Sequence, residues 1–292
     1  MPELPEVETV VRGLRPLLEG QTIATCAHAS PLMIDASSVR SIKQLTKRRC
    51  VRIDRQGKWI FCRLDEDETL AIHLGMTGRL TVEPVDRDVL SHTHLRLSLA
   101  GNKQELRFRD PRRFGEILLV GRDSLDERFG PERLGPDALT VKTNHLIACM
   151  ESTTRAVKAV LLDQKTLAGV GNIYADEALF EARLHPGQPG RELTKEDIQR
   201  LATAVRAVLK RAIQSGGSTI RDYVDASGEP GYFQKKHRVY GREGKPCKRC
   251  QSPIELNRSF VSGRSTHWCR VCQTNSYQER SGSRPGSRVN SA

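Results

Sequence analysis

The N-terminus of the chain places a proline beside carboxylates, reading MPELPE over residues 1–6. Removal of Met1 would leave Pro2 as a free secondary amine, which is a nucleophile, with the Glu3 carboxylate beside it to carry protons. A helix that begins here would direct its positive end at the amine and lower the pKa of the amine, so that more of it can attack a sugar or carbonyl carbon. The same residues also suit the ordinary first turn of a helix, where proline and glutamate are common.

Four of the eight cysteines have the spacing of metal ligands. They form two Cys-x-x-Cys pairs with 18 residues between the pairs. Four thiolates in this pattern close a tetrahedral zinc site with no open position, so we expect one structural Zn²⁺. The basic residues nearby favour a hairpin that contacts phosphate, and a zinc ribbon that contacts protein is the alternative. The predicted ligands are Cys247, Cys250, Cys269 and Cys272.

Two loops combine features that suit contact with nucleic acid. Arg112 and Phe114 follow Asp110 in a loop between predicted strands, where an aromatic wedge and a guanidinium group could enter a base stack. Met76 lies between two glycines at the end of another strand. Taken separately, each loop is more often a turn with a packed side chain.

A third segment places Gly169 and Gly171 directly before a predicted helix that begins near Asn172. Backbone amides at the N-terminus of a helix can bind a phosphate, and the Asn172 side chain would add a donor. A plain helical hairpin with glycine caps explains the segment equally well.

The charge of the chain is that of a polyanion binder, because 47 Lys and Arg against 35 Asp and Glu give a formal charge of +12. Charge alone does not identify the polyanion. The sequence contains no apolar run of about 18 residues, and its N-terminus is acidic rather than basic, so it predicts neither a membrane span nor secretion. We expect a cytoplasmic protein.

The hydrophobic pattern changes from strands to helices near residues 130–142. Strands are predicted where apolar residues alternate, at Cys50–Asp54, Trp59–Leu64, Leu70–Leu74, His94–Leu99 and Glu105–Arg109. Helices are predicted near the N-terminus and at Thr154–Leu162, Ile173–Leu184 and Ile198–Ile213, the last with a capping box at Thr194 and Asp197. Residues 273–292 contain almost no large apolar side chain and are predicted to be disordered.

Seven motifs in chain order resemble the bacterial formamidopyrimidine-DNA glycosylases, which repair 8-oxoguanine, over residues 1–272. They are residues 2–9, 73–78, 110–115, 169–175, 216–223 and 228–233, and the four cysteines near the C-terminus. The resemblance implies an α+β multidomain fold. Its parts are a catalytic β-sandwich with flanking helices (1–135), a helix-two-turn-helix domain with a lesion-capping loop (136–235), a zinc finger (236–272) and a disordered tail (273–292).

The resemblance also implies a bifunctional DNA glycosylase and abasic-site lyase. Pro2 would attack C1′ of the damaged nucleotide and expel the base, and the resulting iminium would undergo β- and then δ-elimination. Glu3 would transfer protons at several steps. Lys58 is similar to a lysine that donates a proton in elimination, and Arg264 is similar to the zinc-finger arginine that grips the lesion phosphates.

The partner implied by the family is double-stranded DNA that contains oxidised purines or abasic sites, bound in the cleft between the domains by a monomer at the nucleoid. The loop 217–240 would close over the lesion. Met76, Arg112 and Phe114 match the residues that fill the void left by a flipped base. The residues that match DNA contacts are His73, His94, Arg113, Lys158 and Asn172.

Two features depart from the family pattern. The hairpin between the cysteine pairs is slightly longer than usual, around Asn257–Val261. The tail after Cys272 is also longer, and its arginines are predicted to add nonspecific DNA affinity that weakens with salt. These arginines are Arg280, Arg284 and Arg288.

Three alternatives compete with this hypothesis. The endonuclease VIII branch of the superfamily prefers oxidised pyrimidines, but Leu4 and the three void-filling residues favour the purine enzyme. A noncatalytic damage sensor would bind DNA without turnover, and the presence of Pro2, Glu3 and Lys58 argues against it. A zinc ribbon for protein contact leaves the N-terminus unexplained.

Overall fold

The computed structural model describes residues 2–34, 41–219, 223–226, 228–261 and 263–274. The helices are α1 (Leu4–Leu18), α2 (Arg122–Phe129), α3 (Thr143–Glu151), α4 (Val157–Leu162), α5 (Asn172–Ala182) and α6 (Lys195–Gln214). None of the helices in these ranges is both long and apolar enough to cross a bilayer. The strands are β1 (Ile23–Ala29), β2 (Cys50–Gln56), β3 (Trp59–Leu64), β4 (Glu68–His73), β5 (Arg79–Pro84), β6 (Thr93–Leu99), β7 (Gln104–Arg109), β8 (Glu116–Gly121), β9 (Glu255–Val261) and β10 (Arg264–Trp268).

The first half of the chain forms two antiparallel four-stranded sheets, in the orders β1-β6-β7-β5 and β2-β3-β4-β8. Alternate residues of both sheets point into one core, which also receives the apolar face of α1 through Val7, Val11 and Leu14. The predicted β-sandwich is therefore confirmed. Strands β1, β5 and β8 and helices α2 and α3 were not predicted from the sequence.

The second half packs helices α3 to α6 around a separate core. The predicted capping box begins α6, since the Asp197 amide donates to Thr194 Oγ1 at 3.2 Å and the Thr194 amide donates to Asp197 Oδ2 at 3.1 Å. Leu4 of α1 belongs to this helical core, whereas the rest of the apolar face of α1 belongs to the sandwich. Helix α1 thus joins the two halves directly behind Pro2.

The cysteine-rich segment packs against the end of α5. Strands β9 and β10 pair antiparallel, and their register shifts between Arg264 and Thr266. The Arg249 guanidinium donates to the Phe180 carbonyl at 2.6 Å. Gln273, assigned to the tail by the sequence analysis, is buried and donates to the Leu184 carbonyl at 2.9 Å, so it belongs to the fold. The predicted tail from residue 275 onward lies outside the described residues.

Candidate active site

A cleft of about 400 Å³ lies between the sandwich and the helical half. Residues from both halves and from the cysteine-rich segment line it, so the fold assembles a site from distant parts of the sequence. Seven of the site residues predicted from the sequence lie in its wall, namely Pro2, Glu3, Lys58, Met76, Arg112, Asn172 and Arg264. The wall also contains Ser218, Tyr223 and Tyr240 of the predicted lesion-capping loop, and Glu6, to which the sequence analysis assigned no site role.

The Glu3 carboxylate caps the N-terminus of α5. Its two oxygens accept hydrogen bonds from the amides of Gly171 at 2.8 Å and Ile173 at 2.9 Å, and a longer one from Tyr174 at 3.3 Å. A Cβ at position 171 would lie 2.4 Å from Cδ of Glu3, so only glycine permits this approach. The amides that the sequence offered as a phosphate site are therefore occupied by the carboxylate beside Pro2.

Burial shifts the pKa of Glu3 and that of Lys58 in the directions that favour the neutral form of each group. Desolvation raises the pKa of Glu3, and the charge of Lys58 and the three amides oppose that rise. Lys58 is 7% exposed, and burial lowers its pKa, while the Glu3 charge opposes and the Arg264 charge assists the fall. A carboxyl group and an amine shifted in these directions can exchange protons with a substrate more readily than exposed groups.

Glu6 is a second buried carboxyl group beside the first. Its Oε2 accepts from the Glu3 amide at 2.8 Å, and its Oε1 accepts from the Ser218 amide at 2.7 Å and lies 2.5 Å from the Tyr174 hydroxyl oxygen. Burial raises the pKa of Glu6 to about 7, and the negative charge of Glu3 assists. Glu6 is visible in the sequence, but it was interpreted as a residue of the first helical turn, because a glutamate there usually interacts with the helix dipole.

The three predicted void-filling residues lie on two neighbouring loops. Met76 is in the turn between β4 and β5, and Arg112 and Phe114 are in the loop between β7 and β8. Met76 is 37% and Phe114 is 56% exposed, so both apolar side chains are accessible to a partner. The Arg112 guanidinium lies 4.8 Å from the centre of the Phe114 ring. The structure thus brings all three side chains to one exposed edge.

Asp110 holds these two loops together, although the sequence analysis gave it no role of its own. It is fully buried, and its carboxylate accepts from the Thr77 hydroxyl, the Arg112 amide at 3.2 Å and the Gly115 amide at 2.8 Å. Nε2 of His94 lies 3.1 Å from the Asp110 carbonyl oxygen. His94 is therefore buried beneath the loop, and its predicted contact with DNA stays a prediction.

His73 and Arg113, two further predicted DNA contacts, lie near the same edge. His73 is half-buried and packs on Trp59 with 5.1 Å between ring centres, and its Nδ1 accepts from the Gly75 amide at 3.1 Å. Burial lowers the pKa of His73 to about 4, so its ring is neutral at physiological pH. Arg113 is exposed, with a φ of 58° that points to a tight turn.

Lys158 and Asn172 face the cysteine-rich hairpin rather than solvent. The Lys158 ammonium group donates to the Ser265 carbonyl at 2.8 Å and pairs with Asp176 at 2.6 Å, and it has no exposed surface. Nδ2 of the Asn172 side chain donates to the same carbonyl at 2.9 Å. Both side chains therefore hold the strand that carries Arg264. The predicted contacts of both residues with the DNA backbone stay predictions. A contact through the Lys158 ammonium group would require one of its present hydrogen bonds to break.

The four predicted metal ligands lie together. Their sulfur atoms are all within 4.8 Å of one another, and two separations are 3.9 Å and 3.4 Å. A zinc–sulfur distance of about 2.3 Å requires about 3.8 Å between sulfurs in a tetrahedron, so the cluster fits one four-coordinate ion. The ligands are Cys247, Cys250, Cys269 and Cys272.

The comparisons with known proteins agree with this geometry. Residues 1–117 match the family model of the formamidopyrimidine-DNA glycosylase N-terminal domain, and residues 134–224 match that of the formamidopyrimidine-DNA glycosylase H2TH domain. The formamidopyrimidine-DNA glycosylase of Thermus thermophilus is 45% identical over 277 residues, which cover 94% of this chain and 98% of the relative.

Two solved structures of Lactococcus lactis Fpg are also similar. One is a complex with DNA containing an abasic site, with 34% identity and a TM-score of 0.86, and the match covers 94% of this chain and 100% of that one. The other contains DNA with N7-benzyl-Fapy-dG, with 33% identity, a TM-score of 0.86 and the same coverage. The two family matches together cover most of the sequence, including Pro2, Glu3 and Lys58. The chain belongs to the formamidopyrimidine-DNA glycosylase family.

Proposed function

We propose that this protein excises oxidised purines, namely 8-oxoguanine and formamidopyrimidines, from duplex DNA and cleaves the strand at the resulting abasic site. The observation that carries the proposal is the buried Glu3 carboxylate beside Pro2 at the wall of the cleft. The L. lactis relatives bound to DNA with an abasic site or a modified Fapy-dG support the substrate class.

The first step uses Pro2 as the nucleophile, after removal of Met1. Its amine attacks C1′ of the damaged nucleotide, the bond from C1′ to the base breaks, and the base leaves with a proton. The raised pKa of Glu3 suits a group that holds and returns that proton. The amides of α5 keep the Glu3 carboxyl group in one orientation, which spares the reaction the cost of ordering it.

The Pro2 nitrogen then loses its proton, the C1′–O4′ bond of the sugar breaks, O4′ takes up a proton, and an iminium joins Pro2 to C1′. Strand cleavage follows from this iminium. The positive charge acidifies the proton on C2′, so its removal expels the 3′ phosphate, and a second elimination expels the 5′ phosphate. Lys58 is buried beside Glu3 with a lowered pKa, so it can donate a proton in elimination. Arg264 is exposed at the wall of the cleft, where its guanidinium group can pair with the departing phosphates.

Base extrusion is assigned to the exposed edge formed by Met76, Arg112 and Phe114. Flipping a nucleotide out of the duplex costs a few kcal/mol in lost stacking and pairing. An apolar wedge and an aromatic ring that enter the vacated space offset part of that cost, and the Arg112 guanidinium can donate to the orphaned base.

One structural Zn²⁺ would be held by the four clustered cysteines. When bound, the ion crosslinks the two ends of a segment too small to have a large core of its own. Contacts within the chain position the hairpin, because β10 carries Arg264 to the cleft and Lys158 and Asn172 bind the Ser265 carbonyl.

The domain division at residues 135, 235 and 272 remains part of this proposal. A monomeric state is also part of the proposal, because the cleft wall is lined by residues of a single chain.

The test compares a duplex with 8-oxoguanine opposite cytosine and one with thymine glycol opposite adenine. We expect excision and strand cleavage on the first, and borohydride should trap an adduct at Pro2. Mass spectrometry must first show that Met1 is absent. Pro2→Gly and Glu3→Gln should lose excision, whereas Glu132→Gln, a charge change on an exposed residue, should not. Binding without any adduct from a free Pro2 would refute the enzyme, and a preference for thymine glycol would favour the pyrimidine branch.

A further inference from the structure

A continuous chain of hydrogen bonds starts at Glu6 and runs behind the wall of the cleft to Tyr240. Oε1 of Glu6 lies 2.5 Å from the Tyr174 hydroxyl, which lies 3.1 Å from Oγ of Ser218. Oγ of Ser218 lies 3.1 Å from Nε2 of His237, and these three contacts are buried. At the far end, Nδ1 of His237 lies 3.2 Å from the carbonyl oxygen of Tyr240. Four contacts thus connect five residues in series.

The four contacts fix where the hydrogens must be, because each hydrogen bond uses one. The Tyr240 carbonyl only accepts, so Nδ1 of His237 carries a hydrogen, and Nε2 of the neutral ring accepts from Ser218. Tyr174 must then donate to Ser218. The remaining contact, between Tyr174 and Glu6, has a hydrogen only if Glu6 is protonated. With an ionised Glu6 and a neutral His237, one of the four contacts lacks a hydrogen.

The additional proton that completes the four contacts can be held at either end of the chain of hydrogen bonds. In the first arrangement, Glu6 is a neutral acid. In the second, the proton of Glu6 passes to Tyr174, that of Tyr174 to Ser218 and that of Ser218 to Nε2, which leaves a carboxylate and an imidazolium. Burial lowers the pKa of His237 to about 4 and raises that of Glu6 to about 7, so the first arrangement is favoured.

The surrounding charges act in the same direction at both ends. The Lys248 and His267 charges disfavour an imidazolium at His237, and the Glu3 charge disfavours a carboxylate at Glu6, while Lys58 opposes the latter effect. Among the described residues, the titratable groups that face Glu6 are Glu3, Lys58, Tyr174 and Tyr223, and those that face His237 are Tyr240, Lys248 and His267.

We propose that His237 and Ser218 are positioning residues that keep Glu6 as a neutral acid beside Glu3. The proposal rests on the proposed function, because it concerns the same site. Oε2 of Glu6 accepts the Glu3 amide, so an ionised Glu6 would place a second buried negative charge next to the catalytic carboxyl group. A neutral Glu6 leaves the Glu3 carboxyl group without a second negative charge beside it while Glu3 exchanges protons at Pro2.

His237→Phe tests the relay because it keeps a ring between Phe233 and Tyr240, whose centres lie 5.5 and 5.7 Å from that of His237, but removes both nitrogens. Ser218 can then donate to Tyr174, and Tyr174 to an ionised Glu6, so the shortened chain needs no extra proton. The readout is the infrared carbonyl band of protonated Glu6, assigned by its loss in Glu6→Gln. We expect a midpoint of about 7 for the wild type.

In His237→Phe the midpoint should fall by about one pH unit or more, and the alkaline limb of kcat against pH should move with it. Ser218→Ala breaks another link and should give the same shift. His237→Gln should restore the wild-type midpoint, because its amide can donate to Tyr240 and accept from Ser218. His145→Phe removes a half-buried histidine bonded to the Thr166 carbonyl and should leave both readouts unchanged.

If His237→Phe fails to fold by circular dichroism, Ser218→Ala decides the question. Absence of the Glu6 band from the wild type below neutral pH would overturn the proposal, as would wild-type midpoints in His237→Phe and Ser218→Ala. Borohydride trapping at Pro2 is measured on the wild type in parallel. A lowered midpoint of the Glu6 band in the variants, without any trapped adduct in the wild type, would refute the proposed function and support the positioning role of His237 and Ser218.

Discussion

The ammonium nitrogen of Lys158 lies 2.6 Å from a carboxylate oxygen of Asp176, and neither side chain is exposed to solvent. The pair connects helices α4 and α5, and the lysine also donates to the Ser265 carbonyl and the Thr266 hydroxyl of the cysteine-rich hairpin. A buried ion pair of this kind adds little net stability, but the loss of one partner leaves the other charge buried without compensation. Its role here is to fix where the hairpin, and therefore Arg264, meets the cleft.

Asp176→Asn should destabilise the protein by about 3 kcal/mol or more, because it leaves Lys158 charged or costs the energy of neutralising it. Urea unfolding measures the change. The control is Glu151→Gln, whose partner Lys195 lies 4.0 Å away in an exposed pair, and it should cost less than about 1 kcal/mol. The double variant Lys158→Met with Asp176→Leu should recover part of the lost stability, because it removes both charges but leaves the His267 amide and the Ser265 carbonyl without their partners. A loss greater than that of Asp176→Asn would contradict this explanation.

The wedge at the exposed edge should matter only when a base must be flipped out of a duplex. Phe114→Ala should lower kcat/KM for 8-oxoguanine excision by about tenfold or more, since about 1.4 kcal/mol of barrier corresponds to a tenfold change in rate. Cleavage of a preformed abasic site should fall less, because no base remains to be extruded. Leu90→Ala, at a side chain that is 58% exposed elsewhere, should change neither rate. Equal losses on both substrates would argue against a role in extrusion.

Apolar periodicity predicted a strand-rich first half and the long helix, and the family resemblance supplied the sandwich. Apolar residues alternate with polar ones in strands β6 and β7, and α6 carries a continuous apolar stripe that begins at a capping box. Strand β8 was missed because Ile117, Leu118 and Leu119 form a run without alternation. Helix α2 was missed because only Phe129 of its eight residues is buried.

The sequence predicted which residues form the site, but not the hydrogen bonds that connect them. Pro2, Glu3 and the cysteines have local signatures, and the resemblance to a family supplied the others. The bonds from α5 amides to Glu3 join residues that are 168 to 171 positions apart, so no local pattern could signal them. For the same reason the amides before Asn172 appeared free for a phosphate. The role of Asp110 was hidden because its partner Thr77 belongs to another loop.

The cysteine cluster should bind one equivalent of Zn²⁺, measured by atomic absorption on the purified protein. Cys269→Ala should lose the metal and bind abasic-site DNA at least about tenfold more weakly, because the hairpin that carries Arg264 loses its crosslink. Cys149→Ala, a half-buried thiol outside the cluster, should retain both metal and binding. Full DNA affinity in a metal-free Cys269→Ala protein would show that packing alone holds the hairpin.

The buried Glu6 carboxyl group should make the protein less stable as the pH rises. Its pKa is raised from 4.5 to about 7 by folding, so between these values the folded state binds more protons than the unfolded state, and the free energy of unfolding falls with increasing pH. The fall attributable to this group is about 3 kcal/mol, because a tenfold change in an acid dissociation constant corresponds to about 1.4 kcal/mol. Glu6→Gln mimics the protonated acid and should flatten the dependence, whereas Glu132→Gln should not. Urea unfolding across this range tests the sign, and a wild-type protein that gains stability with pH relative to Glu6→Gln would show that Glu6 is ionised in the folded state.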